Sequence, residues 1–210
     1  MTPVSRLLVV IGAGGFGREV LDIVAASSDA SFELLGVLAD PAPDLTQLTP
    51  RGVAYLGPVS TLADIDAAYV IGIGAPDVRR RIDDYATSLG REAATLVHPS
   101  ATRGWSVACQ PGTIICSHVS ITTNVTIGRH VHLDQNCTVG HDVVLGDYVR
   151  ANPGATISGS VHVEAGATVG ANATIIQGLR VGRDAVIGAG AVVTKDVPAG
   201  VTAVGVPARW

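Results

Sequence analysis

Residues 121–197 read ITTNVT IGRHVH LDQNCT VGHDVV LGDYVR ANPGAT ISGSVH VEAGAT VGANAT IIQGLR VGRDAV IGAGAV VTKDV, and the six-residue frame holds from end to end. The first place of every block is apolar, from Ile121 and Ile127 through Leu133, Val139 and Leu145 to Ile187 and Val193. The fifth place is apolar too and usually smaller, as at Val125, Cys137, Ala155 and Ala173. The fourth place holds Asn124, Asn136, Asp142, Gly154, Gly166, Asn172, Gly178, Asp184, Gly190 and Asp196, residue types that tolerate positive φ. A helical period of 3.6 cannot produce this pattern, and strand alternation does not skip in sixes. A hexapeptide period implies a parallel β-helix. Each block is then a short strand and a corner, with the first residue pointing inward and the fifth filling the space beside it. Three corners close one triangular coil, and the repeat fills about five coils.

Upstream, His98-Pro99-Ser100-Ala101 marks a boundary, because residues before it carry a different pattern. Arg6–Gly12 (RLLVVIG) reads as a buried strand. It runs into Gly12, Gly14 and Gly17, spaced G-x-G-x-x-G, and then into a helical pattern through Val20, Leu21, Ile23 and Val24. A strand, a glycine-rich turn and a helix N-terminus together suit a phosphate, although a tight structural turn has the same sequence. A second strand, Phe32–Leu38, ends near Asp40, where an acidic side chain can meet a ribose or base. Pro41–Pro50 reads as a loop, Ala67–Gly74 as a strand, Pro76–Leu89 as a helix and Ala93–Val97 as a last strand. Alternating strands and helices predict a small parallel sheet. The expected organisation is a Rossmann-like αβ domain over residues 1–98, the size of one mononucleotide-binding half, followed by a β-helix and tail over residues 99–210. A dinucleotide-dependent oxidoreductase would need a longer first domain.

Composition narrows the function classes. With 210 residues, 47% of them hydrophobic and 15% charged, the chain is well cored, and one or two domains are expected. Its longest apolar runs are too short to span a bilayer, and no signal peptide precedes the first strand, so a cytoplasmic protein without membrane partners is expected. A net charge of −4 and few aromatic residues argue against nucleic acid. Three cysteines without a C-x-x-C pair argue against disulfides and zinc. His118, His130, His132 and His162 fall on corner or outward positions, and no His-x4-His pair exists, so no metal is expected.

The glycine-rich strand–turn–helix, His-Pro-Ser-Ala, the unbroken hexapeptide domain with His141-Asp142 at a corner, and the ending Val-Gly-Val-Pro-Ala-Arg give the resemblance its specificity. Over nearly its whole length the chain resembles the hexapeptide-repeat sugar O-/N-acyltransferases of the sialic acid O-acetyltransferase and bacillosamine N-acetyltransferase type. The resemblance implies a left-handed coil, against the right-handed sense of ordinary parallel crossovers. It also implies a homotrimer with active sites between neighbouring β-helices, and acetyl-CoA as co-substrate. The implied reaction is N-acetylation of a nucleotide-linked 4-amino-4-deoxy sugar; O-acetylation of a sugar hydroxyl and non-catalytic binding of a nucleotide sugar are the alternatives. His141 matches the family's catalytic base, a task suited to a residue type that titrates near neutrality. Asp142 fills its corner on backbone grounds alone, and in the family it orients the histidine. For acetyl-CoA the resemblance points to Gly159, Ala171, Ala189, Val206 and Pro207, and to Arg150, which stands where bacillosamine enzymes carry a second histidine. For the nucleotide sugar it points to Gly14, Gly15, Phe16, Asp40 and Gly74, with Phe16 replacing a histidine of some relatives.

Overall fold

The computed structural model describes residues 6–27 and 32–210. The chain forms two compact units, Met1–Leu96 and Val97–Trp210.

In the first unit, β1 (Arg6–Ile11) lies between β2 (Phe32–Leu38) and β4 (Ala68–Ile71), and β3 (Tyr55–Gly57) extends the sheet beyond β2. Every pairing is parallel. Leu8–Ile11 are wholly buried, as expected of a central parallel strand covered on both faces. Helices α1 (Gly15–Ala26) and α2 (Pro76–Ser88) complete the alternation. Two glycines of the G-x-G-x-x-G turn have separate physical reasons. Gly12 turns the chain at φ 107°, and Gly17 lets α1 settle on that turn, since a Cβ there would stand 2.1 Å from the Gly12 carbonyl oxygen. Gly14 precedes α1 and faces open space, with nothing within 4 Å of a would-be Cβ.

The second unit is a parallel β-helix with three faces. Its first face runs through the strands Leu96–Val97, Ile114–Ile115, His132–Leu133, Arg150–Ala151, Thr168–Val169, Val186–Ile187 and Thr202–Ala203. The second face runs from Thr102–Arg103 through Thr138–Val139 to Val192–Val193, and the third from Val107–Cys109 through Val144–Leu145 to Arg180–Val181. Partners are eighteen residues apart, one coil, as in Val139 beside Ile157. Every first-place residue from Ile121 to Val193 is buried. The fifth places are buried as well, except Leu179, which packs half-buried against the same core. Burial pushes the Cys137 thiol up to about 12, which keeps it protonated.

The structure departs from the expected elements in four places. Ala93 makes only an isolated bridge to Tyr69, and the strand Leu96–Val97 joins the β-helix sheet instead of the αβ sheet. Segment 52–66, which carries no clear period, contributes β3 and a 3-10 helix, Val59–Asp64. Left-handed corners include His130, Tyr148 and Ser160 besides the Asn, Asp and Gly positions, while Asp196 is not among them. His130 and His132, on a corner and an outward position, are nevertheless fully buried, with His130 stacked on Tyr148 at a centroid distance of 5.9 Å.

Candidate active site

His141 and Asp142 leave the strand Thr138–Val139 at the corner between the second and third faces. Asp142 sits at φ 59°, a left-handed conformation that aspartate tolerates, and this sends two successive side chains outward. Both are about half exposed, at 51% and 52%. Asp142 Oδ2 lies 2.7 Å from His141 Nδ1, and its other oxygen, Oδ1, accepts from Asn124 Nδ2 at 3.2 Å. Those hydrogen bonds, that of His141 foremost, hold the Asp142 carboxyl below its ordinary value, so it is an anion at neutral pH. An anionic acceptor at Nδ1 selects the tautomer with its proton there and leaves the Nε2 lone pair available. The imidazole lies against Gly159 of the next coil, where a Cβ would stand 2.4 Å from Nε2. The corner backbone is tied to both neighbouring coils, by Asp142 N donating to Thr123 O at 3.1 Å and Ser160 N donating to His141 O at 2.7 Å.

The other anticipated donor contacts lie elsewhere on the β-helix. Ala171 and Ala189 stack one coil apart at the corner between the first and second faces, where Gly190 N donates to Ala171 O at 2.8 Å. Arg150 begins a first-face strand, and its Nε and Nη2 donate to Oδ2 of the buried Asp134 at 3.1 and 2.8 Å. Val206 and Pro207 are exposed in the tail beyond Thr202–Ala203, joined by a cis peptide bond.

The first unit carries a cleft of about 990 Å³ at the C-terminal ends of β1 and β2, the usual ligand crevice of such sheets. Gly14 and Asp40 line it, and Asp40 is anchored by the Val59 N–H, which donates to its Oδ2 at 2.9 Å. Gly15, Phe16 and Gly74 are not in its wall. Gly15 starts α1, Phe16 is half-buried in the first helical turn, and the Gly74 carbonyl accepts from Arg79 Nη1 at 2.6 Å. The cleft adds residues that the glycine motif did not point to, namely Arg18 from α1 and Arg81 and Tyr85 from α2. For Arg81 and Tyr85 the signal is the spacing of Val78, Arg81, Ile82 and Tyr85, which puts all four on one face of α2. Among the described residues no three His, Cys, Asp or Glu side chains group as a metal site.

Residues 7–86 match the PglD N-terminal domain family, and residues 160–195 match the hexapeptide repeat of succinyl-transferase. No curated protein gave a significant match. Among solved structures, a His-to-Asn variant of perosamine N-acetyltransferase from Caulobacter crescentus, in complex with CoA and GDP-perosamine, is 28% identical. The alignment covers 96% of this chain and 95% of that one, at a TM-score of 0.88. The acetyltransferase domain of PglB from Neisseria gonorrhoeae, in complex with acetyl coenzyme A, is also 28% identical, over 98% and 99% of the two chains, with a TM-score of 0.89. WeeI from Acinetobacter baumannii is 32% identical over 97% and 98%, with a TM-score of 0.84. The chain belongs to the hexapeptide-repeat sugar acyltransferases with a PglD-type N-terminal domain. As an acyltransferase of this family it has the left-handed sense of coil. No helix among the described residues is long and apolar enough to cross a membrane.

Proposed function

We propose that this acyltransferase moves the acetyl group of acetyl-CoA onto the amine of a nucleotide-linked sugar, a 4-amino-4-deoxy sugar in particular, with His141 as general base. The observation that carries the proposal is the hydrogen-bonded corner: Asp142 on Nδ1, and Nε2 laid against a glycine that gives it room. Solved relatives support the substrates, one holding CoA with GDP-perosamine and another acetyl coenzyme A. The acceptor nitrogen attacks the thioester carbonyl, its proton passes to His141 Nε2, and the carbon–sulfur bond breaks to release CoA. Asp142 stabilises the imidazolium while it carries that proton. The cleft with Gly14 and Asp40 takes the nucleotide, and small residues such as Gly159, Ala171 and Ala189 let a ligand reach backbone amides. Arg150 acts through the buried Asp134, which it pairs with, and so shapes the first face instead of reaching the thioester.

The working assembly is a homotrimer with each site shared by two chains, in the cytoplasm where acetyl-CoA and nucleotide sugars are made. Its support is that His141 and the Ala171–Ala189 pair occupy different corners of one β-helix. A thiol-release assay with acetyl-CoA and a panel of nucleotide-linked amino sugars tests the reaction, and the high value of the Cys137 thiol keeps that group silent. Turnover with an amino sugar should fall about 10²–10⁴-fold in His141→Ala. An undiminished rate in the variant would overturn the base assignment, and release only with hydroxyl analogues would make the enzyme an O-acetyltransferase.

A further inference from the structure

Three corner residues stacked at the second–third edge, Asn124, Asp142 and Ser160, all lie in the left-handed region, at φ 57°, 59° and 57°. The first of them is fixed from both sides. Its backbone N–H donates to the Trp105 carbonyl of the preceding coil at 3.1 Å, and that oxygen also accepts from Thr123 Oγ1 at 3.0 Å. Its side-chain Nδ2 then reaches forward one coil to Asp142 Oδ1 at 3.2 Å. The Asp142 carboxylate therefore has one oxygen on Asn124 and the other on His141 Nδ1. A carboxylate at an exposed corner otherwise rotates and takes its hydrogen bonds from water. Held at both ends, it has one orientation, and that orientation points an acceptor at Nδ1.

We infer that Asn124 is a positioning residue for the reaction: it locks the Asp142 carboxylate so that His141 keeps its proton on Nδ1 and presents Nε2 as the base. This rests on the reading of His141 given above. Asn124 itself touches neither Nε2 nor Gly159; it works through Asp142. The lowered Asp142 carboxyl, to which Asn124 contributes after His141, agrees with that role. An amide suits the place because it donates without adding charge, and because asparagine accepts the left-handed backbone that the corner demands.

Two substitutions separate this role from a merely structural one, since both keep the corner conformation. Asn124→Gly removes the donor, and Asn124→Asp replaces it with a second carboxylate facing Asp142. With histidine-labelled protein, nitrogen NMR reads the His141 tautomer without any substrate, its signal assigned by loss in His141→Ala. The wild type should show the Nδ1-protonated form, and Asn124→Gly a mixture of tautomers. In the thiol-release assay Asn124→Gly should lose about 5- to 10-fold in kcat, the scale of one charge-assisted hydrogen bond at an exposed site, with both KM values unchanged. Asn124→Asp should move the acidic limb of the pH–rate profile toward higher pH, because an added negative charge favours the protonated imidazole. Asp184→Gly, a left-handed corner at the edge between the third and first faces, should keep the wild-type rate and tautomer. Wild-type tautomer, kcat and pH limb in both Asn124 variants would overturn the inference while leaving His141 as base. A fully active His141→Ala would instead remove the reading beneath it.

Discussion

The Gly159 requirement is spatial, because its backbone is not left-handed and the obstacle to a side chain is the imidazole itself. A methyl group at 2.4 Å from Nε2 forces the ring to swing away from the corner and takes it off Asp142 Oδ2. Gly159→Ala should therefore reduce kcat by about 10-fold or more, as expected when a general base is displaced instead of deleted. Its melting temperature should stay close to wild type, because the half-exposed ring can move into solvent. Circular dichroism melting beside the thiol-release assay checks both halves, and a fully active variant would mean that the ring does not work from this position. The same reasoning explains what was readable at this scale. His141 was readable because its corner matches the His-Asp motif of the family that the chain resembles, while Asp142 by itself only fills a corner that takes Asn, Asp or Gly. Asn124 did not, since asparagine is already the expected residue for a left-handed corner and its second task is invisible until coils are stacked.

At the scale of elements, the G-x-G-x-x-G turn separates into a structural and an open glycine. A Cβ on Gly17 would collide with the Gly12 carbonyl at 2.1 Å, whereas Gly14, at φ −70°, accepts an alanine without a contact. Gly17→Ala should lose about 1–3 kcal/mol in urea unfolding through overpacking of α1 on the turn, and more if the helix cannot shift. Gly14→Ala should melt like the wild type and weaken only the nucleotide-sugar KM, since its site faces the cleft. Equal stability of the two variants would contradict this division. The elements themselves were legible where a period exists: β1, β2, α1, α2 and every buried hexad position of the β-helix follow from apolar spacing alone. Short pieces were not. β3 has three residues, too few to show alternation, and Leu96–Val97 has apolar character that suits either sheet. The burial of His130 and His132 was not legible, because a corner or outward position in one coil says nothing about what covers that face.

On the scale of the whole molecule, two groups of residues sit at different edges of the β-helix. His141 stands at the edge between the second and third faces, and Ala171 and Ala189 at the edge between the first and second. Within one chain a donor bound at both must cross the second face, whereas a neighbouring β-helix can bring its own Ala171–Ala189 edge to His141. A symmetric trimer would repeat that pairing three times. Light scattering should then report about three times the 21.4-kDa chain mass. Mixed assemblies test the sharing directly. One parent carries His141→Ala, and the other carries Ala189→Trp, which places a bulky side chain at an exposed position of the proposed donor edge. In trimers co-assembled from equal amounts, about one interface in four joins an intact His141 to an intact donor edge, so activity should return to roughly a quarter of wild type. Sites built within single chains would give no recovery at any mixing ratio, because every chain carries one lesion.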